Sequence, residues 1–399
     1  MRRAILALGI FLGVFASNRA AQAAAILTGQ LVNLRVGDGT TLPSGTALPV
    51  ILDVYDITYT AGLPTAISLA QSIPVQSGPT GGTQPTSGQR NLMQGGSANG
   101  EGGLALSVDR RYMTLGGYNS TLGGSASGNN PTTPNRVIGR LDLSDGTVDT
   151  TTALTDASGT TNAVRSVVSI DGTQFWMGAS TGVRYVNALG ATTSLAIGAT
   201  ANNVRRSGIY KGQLYQTEGS NSRFGIVKVG TGTPTTNNQT LTLLNGFPGS
   251  TNSAYDFFFA DDNTVYIADD RSTTSGGLEK WVFSGTSWSM VFNHPIALTG
   301  SNNGLRSLTG SVDANGNVTL FAATANTGAL PGAPNLLVGL TDTVANTSSA
   351  NVTENLLVTA SSAFSGTAWN LRGVALVVPE PASMGLIVLG GLLLARRRG

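Results

Sequence analysis

Arg165-Ser166-Val167-Val168-Ser169-Ile170-Asp171-Gly172-Thr173-Gln174-Phe175-Trp176 reads as a short strand, a polar turn and a second, aromatic strand. Asp-Gly at the turn accepts positive φ at little cost, which suits a tight hairpin. The layout recurs along the chain. Leu104-Ala105-Leu106-Ser107-Val108-Asp109-Arg110-Arg111-Tyr112-Met113 precedes it. Arg206-Ser207-Gly208-Ile209-Tyr210-Lys211-Gly212-Gln213-Leu214-Tyr215 and Asp256-Phe257-Phe258-Phe259 through Tyr266 follow. Arg306-Ser307-Leu308 through Phe321 is next, and Arg372-Gly373-Val374-Ala375-Leu376 begins one more. The unit starts at Leu104, Arg165, Arg206, Asp256, Arg306 and Arg372 lie 61, 41, 50, 50 and 66 residues apart. Several short strands per period of this size are the pattern of propeller blades. The expected fold is all-β, a six- or seven-bladed β-propeller; a β-sandwich or a two-domain β protein is the alternative. The last unit lacks its outer strands. Strand patterns at Leu31–Val36 and Val50–Ile57 would complete it, closing the ring and removing exposed sheet edges.

Composition supports a turn-rich β chain. Gly occurs 53 times in 399 residues, nearly twice the usual ~7%. Charged residues are only 11%, with Lys at just Lys211, Lys228 and Lys280. Cysteine is absent, so stability must come from an ordinary core and not from disulfides. Ser77 to Arg90 and Ser120 to Asn135 are polar and rich in turn formers, and read as loops.

Both termini read as targeting segments. Arg2-Arg3 leads into an apolar run from Ala4 to Ala16, and Ala21-Gln22-Ala23 offers a small-x-small cleavage site. That is the layout of a signal peptide over residues 1–23, with cleavage expected after Ala23 and the Ala24–Ala25 boundary as the competitor. At the other end, Val378-Pro379-Glu380-Pro381 precedes an apolar run of 14 residues, Ala382–Ala395, and then Arg396-Arg397-Arg398. As a helix the run is about 21 Å long, marginal against the ~20 apolar residues a bilayer core needs. A short hydrophobic helix with its arginines cytoplasmic would leave everything before Pro379 outside. Prolines on both sides of Glu380 keep that motif extended.

This tail resembles the PEP-CTERM sorting domain of exported bacterial proteins. The resemblance implies a domain order of signal peptide (1–23), propeller-like secreted domain (24–377) and sorting or anchor segment (378–399). It also implies a processing motif of Pro379, Glu380, Pro381, Arg396, Arg397 and Arg398, cut by an exosortase-type membrane protease after transient inner-membrane anchoring. Proteins with this tail are associated with exopolysaccharide and biofilm matrix. Independently, LVNLRVGDG, LPVILDVYD, EGGLALSVDRRYMTLGGYN and GGLEKWVFSGTSW are similar to a layout found in secreted, propeller-like bacterial proteins. That likeness covers most of residues 31–295 and brings no active residues with it.

The targeting arginines also explain the charge. Of 23 basic residues, Arg2, Arg3, Arg19, Arg396, Arg397 and Arg398 lie in the terminal segments, leaving 17 against 21 acidic ones. The processed chain is mildly acidic, which removes the electrostatic case for a nucleic-acid partner.

Catalytic machinery is sparse. A Ser-His-Asp system needs the single histidine, His294, which has no nucleophile elbow nearby. Asp261-Asp262 and Asp269-Asp270 flank a strand whose length puts the pairs some 20–24 Å apart, too far for paired acid–base work. Asp313-Ala314-Asn315-Gly316-Asn317 begins like a calcium loop but has Thr324 where the last acidic ligand belongs. No metal site and no cofactor are expected, Ca²⁺ being the one weak candidate. The Gly-rich stretches, Gly102-Gly103 included, lack the strand-to-helix setting that would make them phosphate loops.

The positional constellation is more informative. Arg165, Arg206, Arg306 and Arg372 stand at the starts of units, with Asp256 in the same place in another. On innermost strands these side chains would surround the axial channel, either contacting a carboxylate or acidic sugar or pinning the ring together. The aromatic residues Phe175, Trp176, Trp281, Trp288 and Trp369 are expected to pack between blades. The function expected is a non-enzymatic cell-surface or matrix protein touching polysaccharide or surface proteins. A propeller hydrolase or lyase acting on polysaccharide, and a lectin-like module with exposed Trp176, Trp281 and Trp288, are the alternatives.

Overall fold

The structure, a computed structural model, describes residues 23–39, 46–75, 88–96, 100–126, 135–157, 163–198, 203–220, 222–271, 275–298, 304–325, 335–360 and 369–379. The expected C-terminal helix, Glu380, Pro381, Arg396, Arg397, Arg398 and Ala21 lie outside these residues. Among the described residues no helix is long and apolar enough to cross a membrane.

The first eight strands are β1 (Leu31–Val36), β2 (Ala47–Thr60), β3 (Leu63–Pro74), β4 (Met93–Gly95), β5 (Leu104–Leu106), β6 (Tyr112–Tyr118), β7 (Arg136–Asp142) and β8 (Val148–Leu154). Then come β9 (Val164–Ser169), β10 (Phe175–Ala179), β11 (Gly182–Val186) and β12 (Leu195–Ala196) as one four-stranded sheet. The next is β13 (Val204–Tyr210), β14 (Gln213–Ser220), β15 (Arg223–Val229) and β16 (Leu241–Leu243). β17 (Ala254–Phe259), β18 (Thr264–Asp269), β19 (Gly277–Phe283) and β20 (Trp288–His294) form the third. β21 (Leu305–Val312), β22 (Asn317–Thr324), β23 (Leu336–Thr343) and β24 (Thr353–Thr359) form the fourth, and β25 (Asn370–Leu376) ends the chain of strands.

The chain is thus all-β and propeller-like, with four separate four-stranded blades. That corrects the expected count of six or seven blades. The other nine strands form one continuous sheet, ordered β25-β1-β2-β4-β6-β7-β8, with β3 on β2 and β5 on β6. The reason lies in β4, which pairs with β2 through Ala47, Leu48 and Pro49 and with β6 through Tyr118. Period counting cannot see such a bridging strand.

The first strand of each unit is innermost. β5 meets β9, β9 meets β13, β13 meets β17, β17 meets β21, β21 meets β25, and β25 returns to β5. Polar rungs tie neighbours together: Ser207 N–H donates to Ser166 Oγ (3.0 Å), and Val374 N–H to Ser307 Oγ (3.0 Å). Closure uses both ends of the chain. β1 lies between β2 and β25, pairing Leu31 with Leu376 and Val36 with Asn370. Leu31, Leu371, Val374 and Leu376 then pack against Phe321, Ala323 and Leu337 of the preceding blade.

The turns follow from local chemistry. Gly172 has φ +76, and Asp171 Oδ1 accepts the Thr173 N–H at 2.9 Å. Between blades the aromatic residues pack as expected: Trp176, Trp281 and Trp288 are buried, and Phe247 stacks on Trp281 with centroids 4.4 Å apart.

Because β25 seals the ring, a chain comprising residues 24–360 is expected to lose the single cooperative transition. Its urea midpoint, read by tryptophan fluorescence, should fall by at least about 1 M relative to residues 24–379. An unchanged curve would show that closure contributes little.

Candidate functional site

The inner strands share a defect at the same height. In each, the register against its neighbour slips near the start of the strand. The slips fall between Val164 and Ser166, between Val204 and Ser207, between Ala254 and Asp256, and between Leu305 and Ser307. In β25 the slip lies between Leu371 and Val374. The residues caught in these slips are Arg165, Arg205 and Arg206, Tyr255, Arg306, and Arg372 with Gly373. A β-bulge bends its strand and re-aims a side chain. Here five of them gather arginines and one tyrosine on the axis.

The five residues singled out from the sequence are therefore brought together. Arg206 Nη1 donates to the Arg165 carbonyl at 2.7 Å, and Arg165 Nη1 to the Val204 carbonyl at 3.0 Å. Arg206 Nε stands 3.7 Å from Asp256 Oδ2, while that same oxygen accepts the Leu308 N–H at 3.0 Å. Arg306 pairs with Asp270 at 2.9 Å, and Arg205 reaches the other oxygen of Asp270 at 3.1 Å. Arg372 donates to the Gln94 side chain at 3.3 Å and to the Gly96 carbonyl at 3.2 Å. Three guanidiniums, Arg205, Arg206 and Arg306, each lie 5.1 Å from the centre of the Tyr255 ring. Such cation–π contacts are strongest when desolvated.

Sequence reasoning missed four members: Arg205, Tyr255, Asp270 and Glu101. Gly102-Gly103, which the sequence showed only to lack a phosphate-loop setting, has a packing role. The segment Gly100-Glu101-Gly102-Gly103 runs into the axis. A Cβ on Gly103 would stand 2.5 Å from the Arg165 carbonyl oxygen, and one on Gly102, at φ +88, would stand 2.7 Å from Arg372 Cδ. Only glycine lets the backbone approach the arginines this closely. A lone acid among glycines, in a chain with so few charges, was the available signal.

Glu101 is 3% exposed. Tyr118 donates its hydroxyl to one carboxylate oxygen, the Gly95 N–H donates to the other at 3.1 Å, and Arg372 stands 3.9 Å away. Arg136 stacks over the Tyr118 ring at 4.8 Å. Burial outweighs these stabilising partners and pushes the Glu101 carboxyl up to about 7. Burial raises Asp256 as well, and it holds Arg372 down to about 10 despite the nearby Glu101. Among the described residues, each carboxylate on the axis has an arginine beside it.

On one side the axis opens into a funnel of about 540 Å³, with Leu106, Ile209, Phe257, Thr309 and Leu376 on its walls. Val378 and Arg110 also line it, and Arg110 donates to the carbonyl of Pro379, which is exposed. Ala23 packs against the hydrophobic core that includes Ile26, Leu141 and Leu143, and Ala24 exchanges two 2.9 Å hydrogen bonds with the Gln71 side chain.

The remaining candidates fall elsewhere. His294 Nε2 lies 3.3 Å from Glu354, with no nucleophile between them. Asp261 caps the Asn263 N–H at 2.8 Å and Asp262 pairs with Lys211, whereas Asp269 is buried against Arg271. Asp313 spends its oxygens on the Asn315 and Asn317 N–H groups and the Asn317 amide, making a hairpin turn. Among the described residues no group of three or more His, Cys, Asp or Glu is placed to hold a metal ion.

No family model matches this chain, and no curated protein does. Among solved structures, a provisionally assigned 6-phosphogluconolactonase from Bacteroides uniformis is similar over 81% of each chain, with 12% identity and a TM-score of 0.43. A chain of a nidogen–laminin complex is similar over 87% of this chain and 98% of its own, at 10% identity and a TM-score of 0.43. The extracellular domain of a one-component system from B. thetaiotaomicron covers 80% of this chain but only 33% of its own, at 15% identity and a TM-score of 0.38. At such identities and scores nothing of their activity transfers.

Two outcomes follow from the axis. Glu101 titrates near 7 when folded but at the ordinary 4.5 when unfolded, so the folded state holds its proton across that interval. Its contribution is complete below 4.5 and is lost as pH climbs to 7. Burial beside Asp269 pushes Glu279 to about 7 and adds the same sign. Urea unfolding should therefore show stability falling from pH 5 to 7.5, with a shallower slope in Glu101→Gln; an equal slope in the variant contradicts the assignment. Gly102→Ala combines positive φ with overlap on Arg372, and should cost roughly 2 kcal/mol or more in the same assay.

Proposed function

We propose that this chain is an exported, non-enzymatic cell-surface or matrix protein, delivered by an N-terminal signal and a PEP-CTERM-type tail cut by an exosortase-type membrane protease. The observation that carries the proposal is where the chain leaves the ring. Gly29 N–H donates to the Val377 carbonyl at 2.7 Å, and Val377 N–H to the Gln30 carbonyl at 2.9 Å. The residues just inside both expected processing points are thus stitched to one another. Pro379, the first residue of the processing motif, follows directly and is exposed. Removing residues 1–23 and the tail therefore leaves every strand of the closed ring in place.

The role favoured is a rigid, disulfide-free carrier in an exopolysaccharide-rich matrix, whose neutral Ser/Thr/Asn surface meets polysaccharide or surface proteins. Trp176, Trp281 and Trp288 are buried, which disfavours a lectin-like reading. The carboxylates on the axis, Glu101, Asp256 and Asp270, each face an arginine, which disfavours a hydrolase or lyase.

Intact mass spectrometry of the protein from its native host tests the proposal. The expected product starts at Ala24 and ends within Pro379–Pro381. A mass that retains Arg396–Arg398 would overturn the sorting mechanism and leave a permanently anchored protein.

A further inference from the structure

At the centre of the axis lies a cavity of about 20 Å³. Arg206, Arg306 and Arg372 line it, with Glu101, Thr324 and Asn370. A cavity needs roughly 10–15 Å³ of such volume to admit one water-sized particle, so this one takes a single small occupant and excludes a sugar acid. We propose that it binds one chloride-sized inorganic anion. The inference is independent of the sorting reading.

Charge is the first support. Arg165, Arg205, Arg206, Arg306 and Arg372 bring five guanidiniums to the axis, of which Arg206, Arg306 and Arg372 line the cavity, against the three carboxylates of Glu101, Asp256 and Asp270. Asp270 is shared between Arg205 and Arg306. Asp256 is committed to the Leu308 and Phe257 N–H groups, and its nearer oxygen lies beyond hydrogen-bonding reach of Arg206. A buried cation without its counter-charge costs several kcal/mol in general, and a bound anion removes that cost. Burial holds the Arg372 guanidinium down, Glu101 and Tyr255 oppose this, and the neighbouring Arg206 and Arg306 add to the lowering.

Unused donors are the second support. Arg206 is 4% exposed, lines the cavity, and its Nε has no hydrogen-bond partner. Arg165 Nε and the Tyr255 hydroxyl, one blade to either side, are also buried and unpartnered, but they stand beside Gly100 and not on the cavity's own lining. A native interior rarely leaves a buried guanidinium donor such as Arg206 Nε idle unless a water or ion satisfies it. Neutral water answers the donors but leaves the excess charge; a halide answers both.

Two measurements on the chain of residues 24–379 decide between them. Crystals equilibrated in bromide are expected to show an anomalous peak between the Arg206, Arg306 and Arg372 guanidiniums. In solution, the thermal midpoint is expected to rise and then saturate as chloride replaces gluconate at constant ionic strength, and Arg306→Gln is expected to lose that rise. If the variant does not fold, the bromide experiment on the unaltered chain stands alone. Absence of the anomalous peak, or equal midpoints in chloride and gluconate, overturns the proposal in favour of a trapped water.

Discussion

Five register slips, each near the start of an inner strand, are the constraint on which the rest of the molecule depends. A regular strand sends alternate side chains to the two faces of its blade, where they pack against the neighbouring blades. The slip at each strand start breaks that alternation once and sends Arg165, Arg206, Tyr255, Arg306 or Arg372 inward instead. Arginine suits this place because its planar fork can answer several carbonyls at once. Arg206 reaches the carbonyls of Arg165 and Arg306, so a single side chain spans three inner strands. Tyr255 supplies the flat apolar face that lets three guanidiniums gather without a carboxylate for each.

The same constraint explains the glycines. With arginines filling the axis, the segment before β5 can pass only as bare backbone, and Gly100, Gly102 and Gly103 make that possible. Glu101 is carried by this segment into the arginine cluster, where it lies 3.9 Å from Arg372. Its raised pKa follows from the depth at which the backbone leaves it. Ring closure then fixes the geometry: β1 and β25, the first and last strands, pair side by side, so the axis cannot open without breaking a sheet.

Much of the fold was legible because hairpin chemistry is local. The repeated strand, polar turn and aromatic strand placed β9–β10, β13–β14, β17–β18 and β21–β22 correctly, and the incomplete last unit pointed to closure by β1 and β2. The fused sheet was not legible, since β4 is three residues long and Met93-Gln94-Gly95 has no distinguishing pattern. At the site, Arg165, Arg206, Asp256, Arg306 and Arg372 were found by position alone. Arg205 and Tyr255 were not, because each sits beside a residue already marked and only a bulge brings both neighbours to the axis. Asp270 was read as part of a turn pair; its partners Arg205 and Arg306 come from blades 65 and 36 residues away.

If the axial network is what holds the ring, the inner strands must open together. Native-state hydrogen exchange followed by mass spectrometry measures this directly. Amides of β9, β13, β17, β21 and β25 are expected to exchange last, at one common rate set by global unfolding. Earlier and independent exchange of β25 and β1, with the other inner strands still protected, would contradict the account.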